Sequence, residues 1–385
     1  MVSMRKPRLA FMINSLEGGG AERALANLLG VMKPDLENYD VHLILLDNAP
    51  EQQPVPGYVT KHVLDSRGGF ARSAAQLFFL WVRLRPDICV SYLSRSNCLN
   101  VWISWVFRHK AIISERVQTT SHLRTAPNAA FLKKIISATY KHAHCVIAVS
   151  QGVADDLADS FDVPPSRLAV IGNPIDGDRL RQLAAEPTEL QPPRDYIVAV
   201  GRLVPNKNFE MLFKAFQRSG VDLDLLVLGE GPERDRLEHL AEELGIEKRV
   251  QLPGFMRNPY PVMAKAAFLV SCSNAEGFPN TLVEAMCLGL PVAATDCPSG
   301  PFEVLRGSAR QPGADLGDSA MDGILVPVED ADTMAEAIRM LSVKATRKDY
   351  AKKARERSTA FGVDAIVHQY MQVITEATAR WKHRR

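Results

Sequence analysis

Short apolar runs alternate with longer amphipathic segments along almost the whole chain, and the alternation starts twice. In the first half the apolar runs fall near 8–14, 40–46, 59–63, 87–91, 110–114, 144–149 and 168–171, with helical periodicity near 20–32, 71–85, 97–107, 127–142 and 151–159. Runs such as Cys145-Val146-Ile147-Ala148-Val149 are continuously apolar, which suits parallel strands covered on both faces. This order predicts a doubly wound α/β domain. Asn173-Pro174-Ile175-Asp176 closes the first series, and Glu186-Pro187 with Pro192-Pro193-Arg194 marks a proline-rich connection. The second series opens at Tyr196-Ile197-Val198-Ala199-Val200, with further strands near 223–228, 249–252, 267–271, 291–294 and 323–326. Its helices fall near 208–218, 232–244, 258–265, 280–288 and 330–341, and helical stretches near 347–360 and 364–381 end the chain. The expectation is two Rossmann-like parallel-sheet domains, 1–173 and 195–360, facing a central cleft, with a linker at 174–194 and a last helix at 361–385. Ligands of such sheets bind at the carboxyl ends of the strands.

Composition agrees with a globular fold: 385 residues, 46% hydrophobic and 23% charged, which excludes wholesale disorder and fibrous repeats. The net charge of +2 points to no partner, but residues 70–145 carry eleven Lys/Arg against only Asp87 and Glu115. The end of the chain adds Arg380, Lys382, Arg384 and Arg385. Such a region suits an anionic partner, and an ordinary solvated face has the same pattern. Six cysteines, at 89, 98, 145, 272, 287 and 297, form no C-x-x-C and read as reduced thiols of a cytosolic protein. The apolar run Leu9–Ile13 is too short for a signal peptide, and Ala74–Val82 is too short to span a bilayer. The chain is expected not to cross a membrane, although it can lie on one.

Three loops hold the groups best suited to chemistry. Gly18-Gly19-Gly20 precedes the first helix, where backbone can approach an anion and free N–H groups can meet it; a tight turn needs the same residues. It is neither G-x-G-x-x-G nor a P-loop. Gly201-Arg202-Leu203-Val204-Pro205-Asn206-Lys207 places two cations between a strand and a helix, a pairing that suits a diphosphate but also occurs on plain surfaces. In Glu276-Gly277-Phe278-Pro279-Asn280-Thr281-Leu282-Val283-Glu284, Asn280 or Thr281 can cap a short helix whose free N–H groups, at 280–282, face an anion. Two carboxylates then flank that anion socket, the layout of a sugar, a diphosphate and a ribose in a row; Glu276 as a plain turn residue and Glu284 as a solvated helix residue would give the same pattern.

The E-x7-E pair Glu276 and Glu284, within E-G-F-P-N-T-L-V-E-A-M-x-x-G-x-P-V-x-A-T-D, resembles the signature of glycosyltransferase family 4, retaining enzymes of the GT-B fold. Gly18–Arg23, Asn173-Pro174-Ile175-Asp176, Gly201-Arg202 with Lys207, Gly229-Glu230-Gly231-Pro232 and Cys297–Pro301 with Glu303 resemble further family segments, in the same order. The resemblance implies a donor domain in the second half and an acceptor domain in the first, with the last helix crossing back. It implies catalytic roles for Glu276, Arg202 and Lys207. Arg202 and Lys207 would hold the donor diphosphate, Glu276 and the Phe278 backbone the sugar, the amides of Asn280, Thr281 and Leu282 phosphate or ribose, and Glu284 the ribose hydroxyls. The loop Gly18, Gly19 and Gly20 would close over the diphosphate, and Met256 and Arg257 lie where the base is often met. Where the family often has a His, this chain has Ser114-Glu115-Arg116, so Glu115 and Arg116 become the acceptor-binding candidates.

The implied activity is transfer of a hexose or N-acetylhexosamine from a nucleotide sugar, of UDP type, to a lipid-linked or surface glycan such as one on a polyprenyl diphosphate. No cofactor or metal is expected: three D-x-D triplets, Asp176–Asp178, Asp222–Asp224 and Asp330–Asp332, sit in a linker, at a strand entry and at a helix start. Aromatics and cations interleaved over 70–145 suit an anionic membrane surface, giving a peripheral protein on the cytoplasmic face of the inner membrane. Nucleic acid is a poorer partner because no binding motif accompanies the charge. The competing readings are a sugar-nucleotide epimerase of the same fold and a non-catalytic sugar-nucleotide-binding subunit.

Overall fold

The computed structural model describes residues 5–17, 19–124, 128–190, 192, 194–306 and 321–382. The first series builds one sheet from β1 (Arg8–Ile13), β2 (Asp40–Leu45), β3 (Thr60–Val63), β4 (Ile88–Tyr92), β5 (Lys110–Glu115), β6 (Cys145–Ala148) and β7 (Leu168–Val170), in the order β3-β2-β1-β4-β5-β6-β7. The second builds another from β8 (Tyr196–Val200), β9 (Asp224–Leu228), β10 (Val250–Gly254), β11 (Phe268–Ser271), β12 (Val292–Thr295) and β13 (Ile324–Val326), in the order β10-β9-β8-β11-β12-β13. All these strands pair in parallel. Each sheet grows outward in both directions from its first strand. The neighbouring loops after β1 and β4, and after β8 and β11, therefore leave on opposite faces and open a crevice at the carboxyl ends.

Burial explains the unbroken apolar strands. Successive residues of β1 point to opposite faces. Leu9, Phe11 and Ile13 join a core with Leu25, Leu28 and Leu29 of helix Gly20–Val31 and with Ile366, Tyr370 and Ile374 of helix Val363–Lys382. Ala10 and Met12 face Leu77 and Trp81 of helix Phe70–Leu84 and Leu99 and Ile103 of helix Ser94–Phe107. In the second sheet Ile197, Ala199, Leu225 and Val227 pack on Leu212, Phe213 and Phe216 of helix Phe209–Ser219 and on Met334, Ile338 and Leu341 of helix Ala331–Ser342. Each large apolar side chain buried in this way contributes about 1.5–3 kcal/mol.

The chain divides into two compact units, one reaching Pro174 and resuming at Val363, the other running from Ile175 to Gly362. The segment expected as a linker, 174–194, therefore belongs largely to the second unit, and it contains helix Gly177–Ala184. Asp176 caps that helix by accepting from the Arg179 amide at 2.8 Å, and Leu180 is buried. The helix's apolar stripe is only Leu180, Leu183 and Ala184 over little more than two turns, too short to stand out among the surrounding prolines, which is why proline content alone suggested an irregular connection. No helix among the described residues is long and apolar enough to cross a membrane. All six cysteines are free thiols, and five of them are buried.

Candidate active site

The loops after β8 and β11 flank the crevice of the second sheet and are laced together. The Asn274 amide donates to the Asn206 carbonyl at 2.9 Å, Asn206 Nδ2 donates to the Ala275 carbonyl at 2.9 Å, and Asn208 Nδ2 donates to Asn274 Oδ1 at 3.0 Å. Asn208 takes the left-handed conformation (φ 46°) and caps helix Phe209–Ser219 through Oδ1, a place where asparagine is well tolerated. This turn directs Lys207 across the crevice, where Nζ donates to Glu276 Oε1 at 2.5 Å. Arg202, on the same loop, is exposed and has no side-chain partner among the described residues.

A third loop supports the first. Gly229 has φ 150°, and a Cβ there would overlap the Gly201 carbonyl; a Cβ on Gly231 would overlap the Leu203 carbonyl. The Gly201–Leu203 backbone thus lies directly on the turn after β9, and the Leu203 amide donates to the Glu230 carbonyl at 2.9 Å. Glu276 is fixed in turn by Ser299, whose Oγ donates to the Glu276 carbonyl, and by Phe278, whose buried ring stands edge-on to Phe361 at 5.6 Å between centroids.

The helix after Glu276 runs Asn280–Cys287, and two expectations about it change. Its cap residue is Pro279, with no side-chain capping bond, so neither Asn280 nor Thr281 caps. Nor are three amides free: Asn280 N donates to the Phe278 carbonyl and Leu282 N to the Pro279 carbonyl, which leaves Thr281 N without a backbone acceptor among the described residues. The tight turn forced by Pro279 closes these short bonds, and Leu282 itself is core at 1% exposed. Glu284, one turn beyond Asn280, is 7% exposed, so it is an interior carboxylate rather than a solvated one.

In the first unit Gly18 lies outside the described residues; Gly19 caps helix Gly20–Val31 and lies under the Glu22 carboxylate, while Gly20 has open space around it. Glu115 ends β5 and Arg116 follows it, both in the interior at 1% and 8% exposed. Glu115 Oε2 accepts from Tyr140 Oη at 2.8 Å, and Oε1 accepts from the Arg116 amide at 3.2 Å. Arg116 donates to Tyr370 Oη at 3.1 Å and stacks over Tyr92. Burial pushes the Glu115 carboxyl up to about 7, against the pull of hydrogen bonds from Tyr140 and the amides of Arg116 and Val117.

The acidic triplets do structural work. Asp176 and Asp330 are helix caps, and Asp178, Asp222 and Asp332 pair with Arg181, Arg194 and Arg218. No cluster of three or more His, Cys, Asp or Glu able to hold a metal exists among the described residues. Sequence reading missed the asparagine lacing and Phe255, which is 77% exposed just beyond β10 and beside Met256 and Arg257. It also missed Arg95, which reaches Asp47 and Asn14 at the crevice of the first sheet. The signal for the lacing was present as the asparagine pair around Lys207, since a left-handed cap favours that residue.

Comparison with known proteins identifies the class. The family model for Glycosyl transferases group 1 matches residues 156–357, and that for Glycosyltransferase Family 4 matches residues 18–179. The chain belongs to this family of glycosyltransferases, and its fold is GT-B. It is 30% identical over 374 residues, 92% of this chain and 95% of the relative, to N-acetylgalactosamine-N,N'-diacetylbacillosaminyl-diphospho-undecaprenol 4-alpha-N-acetylgalactosaminyltransferase of Campylobacter jejuni. Among solved structures it resembles lipopolysaccharide outer core galactosyltransferase WaaB in its apo form (TM-score 0.74, 19% identity, 96% of this chain and 99% of that one). Anabaena HepE in complex with UDP-glucose is as similar (TM-score 0.74, 20% identity, 96% of this chain and 99% of that one).

Proposed function

We propose that the chain is a retaining glycosyltransferase that moves a hexose or N-acetylhexosamine from a UDP-sugar to a lipid-linked glycan on a polyprenyl diphosphate. One observation carries this reading: at the crevice of the second sheet, the loop after β8 carries Arg202, which has no side-chain partner among the described residues, and Lys207, which pairs with Glu276 on the loop that leads into helix Asn280–Cys287 and interior Glu284. Arg202 and Lys207 supply positive charge to the diphosphate as the bond to the anomeric carbon breaks. Glu276 accepts from sugar hydroxyls, the amides near Thr281 meet phosphate or ribose, and Glu284 holds ribose hydroxyls. The new bond forms on the face the diphosphate leaves, and the acceptor hydroxyl proton passes to the departing phosphate oxygen. No side-chain nucleophile or metal is required by this scheme. The first unit takes the acceptor, with Glu115 and Arg116 standing behind its surface. The Campylobacter relative, named for a diphospho-undecaprenol substrate, and the HepE complex with UDP-glucose support the two substrate classes.

The test is a panel of nucleotide sugars screened for thermal stabilisation, followed by transfer assays on polyprenyl-diphosphate saccharides and assignment of the product anomer. A donor that stabilises the fold should be transferred with its α configuration kept. An inverted product, or transfer that collapses on removing divalent metal, would overturn the corresponding part of the reading.

The same proposal places the protein on the cytoplasmic face of the inner membrane. Helices Phe70–Leu84, Ser94–Phe107 and Ala129–Tyr140 expose Phe78, Phe79, Trp105, Val106 and Phe131 beside exposed Arg72, Arg83, Arg108, Lys133 and Lys134. Trp81, by contrast, is core. Apolar anchors ringed by cations fit an anionic bilayer. Residues 383–385 of the basic tail lie outside the described residues.

A further inference from the structure

Helix Ser94–Phe107 inserts two asparagines between β4 and β5, and around them runs an unbroken line of buried polar groups. Trp81 Nε1 donates to His109 Nδ1 at 3.2 Å, and His109 Nε2 meets Asn100 Oδ1 at 2.8 Å. Asn100 Nδ2 donates to Ser91 Oγ at 3.0 Å, Ser91 Oγ to Asn97 Oδ1 at 2.8 Å, and Asn97 Nδ2 to Tyr140 Oη at 3.2 Å. Tyr140 Oη then donates to Glu115 Oε2 at 2.8 Å. All seven members are at most 8% exposed.

The direction of this line is fixed. The Trp81 indole can only donate, so His109 Nδ1 must accept and its Nε2–H must donate. Burial holds His109 far below the usual imidazole range, near 3, so the ring is neutral and has that single donor. The amides cannot flip, because Asn100 Nδ2 shares its two hydrogens among Ser91 Oγ and the carbonyls of Cys89 and Ile112, and Asn97 Nδ2 also donates to the carbonyl of Ser114, so a carbonyl oxygen in either place would face acceptors. At the far end Glu115 Oε2 accepts from Tyr140 Oη, and once ionised, above about pH 7, the carboxylate can only accept. Its other oxygen accepts from the backbone after β5, where the chain turns into Arg116, Val117 and Gln118.

We propose that this is a one-way hydrogen-bond relay that makes Glu115 a positioning residue: it fixes the carboxylate as an acceptor, and the carboxylate in turn fixes the 116–118 backbone on the acceptor side of the reaction. The functional half of this statement rests on the glycosyltransferase reading above; the relay itself does not. Hydrogen bonds from Tyr140 and the amides of Arg116 and Val117 favour the carboxylate, but burial outweighs them and raises the carboxyl to about 7, so the all-acceptor state belongs to pH above that value. The groups facing Glu115 are Tyr140 from helix Ala129–Tyr140, Cys98 from helix Ser94–Phe107 and Arg116 from its own strand end, with Tyr370 and Tyr92 reaching it through Arg116.

The experiment uses the full chain with Glu115→Gln, Tyr140→Phe and the double substitution. In Glu115→Gln either amide orientation puts a donor against a donor, so Tm falls. Tyr140→Phe should lower Tm in the wild-type background and raise it in the Glu115→Gln background, a change of sign that ordinary packing does not produce. In transfer assays Tyr140→Phe should raise KM for the acceptor or lower kcat about tenfold, leave KM for the UDP-sugar unchanged, and move the acid limb of the pH profile upward. Equal Tm losses in both backgrounds would overturn the relay. A normal acceptor KM, kcat and pH profile beside a reversed Tm effect would overturn the positioning role. If no UDP-sugar binds wild-type protein, the functional reading fails while the Tm cycle still decides the relay.

Discussion

Lys207 Nζ lies 2.5 Å from Glu276 Oε1, joining the loops after β8 and β11 by an ion pair with the two side chains 29% and 14% exposed. The charge proposed for the diphosphate and the carboxylate proposed for the sugar therefore position each other. Removing one leaves the other charged and unpaired in a partly shielded crevice.

Glu276→Ala should reduce turnover about 100-fold or more while changing Tm little, because a loop carboxylate carries few packing contacts. Lys207→Ala should weaken both UDP and UDP-sugar about 10–100-fold, the usual worth of a charge-assisted hydrogen bond. Calorimetry with UDP and steady-state transfer rates separate the two. Wild-type values in both variants would remove this crevice as the donor site.

Gly229→Ala should destabilise the fold by about 1–3 kcal/mol and weaken UDP binding with it. The backbone there has φ 150°, and the added methyl would press on the Gly201 carbonyl, displacing the loop that carries Arg202. Chemical denaturation checks the first effect and calorimetry the second. The same change at Gly20, which has open space around it, should leave fold stability unchanged.

Phe278→Ala should cost about 3–5 kcal/mol, the range for a buried ring, including about 1 kcal/mol for its edge-on partner Phe361. Because Phe278 anchors the backbone beside Glu276, turnover measured well below Tm should fall too. Phe278→Leu should recover most of the stability and only part of the rate.

Stability should depend on pH through Glu115. Its folded carboxyl is raised by burial from 4.5 to about 7, so the folded chain keeps a proton that the unfolded chain releases. That contribution is fully present below pH 4.5 and is lost as pH rises through 7. Wild-type Tm should therefore fall between pH 5 and pH 8 more steeply than that of Glu115→Gln, as read by calorimetry in matched buffers.

Phe79→Ser with Trp105→Ser should abolish flotation with anionic vesicles while leaving UDP affinity intact, since both rings are exposed, at 69% and 57%, and lie in the other unit. Loss of binding by charge reversal at Lys133 and Lys134 alone would assign the attraction to electrostatics rather than insertion.

Strand positions were legible because short, unbroken apolar runs bounded by turn residues, such as Leu9–Ile13 in β1 or Cys145–Ala148 in β6, suit strands covered on both faces. Arg202, Lys207 and Glu276 stood out for a different reason: they are charges in the loops that follow strands β8 and β11, whereas the burial of Glu284 inside helix Asn280–Cys287 is visible only in the structure. Helix Gly177–Ala184 was not legible, being too short to show a period. The capping of Asn280–Cys287 misled because Pro279 takes the cap position and bends the first amides inward. Glu115 illustrates the larger limit. A carboxylate at the end of an apolar strand gives no sign of its burial until Tyr140, from another element, is seen to donate to it and to be held in turn by Asn97.

The last helix, Val363–Lys382, packs Tyr370 and Ile374 into the core of β1, and Tyr370 also receives a hydrogen bond from Arg116. The chain enters the second unit at Ile175 and leaves it at Gly362, and these two residues bridge to one another. The second unit is thus an uninterrupted segment with adjoining ends, suited to expression on its own. The other half is split in the gene: a premature stop that spared every residue up to Gly362 would strip a wall from the domain encoded first.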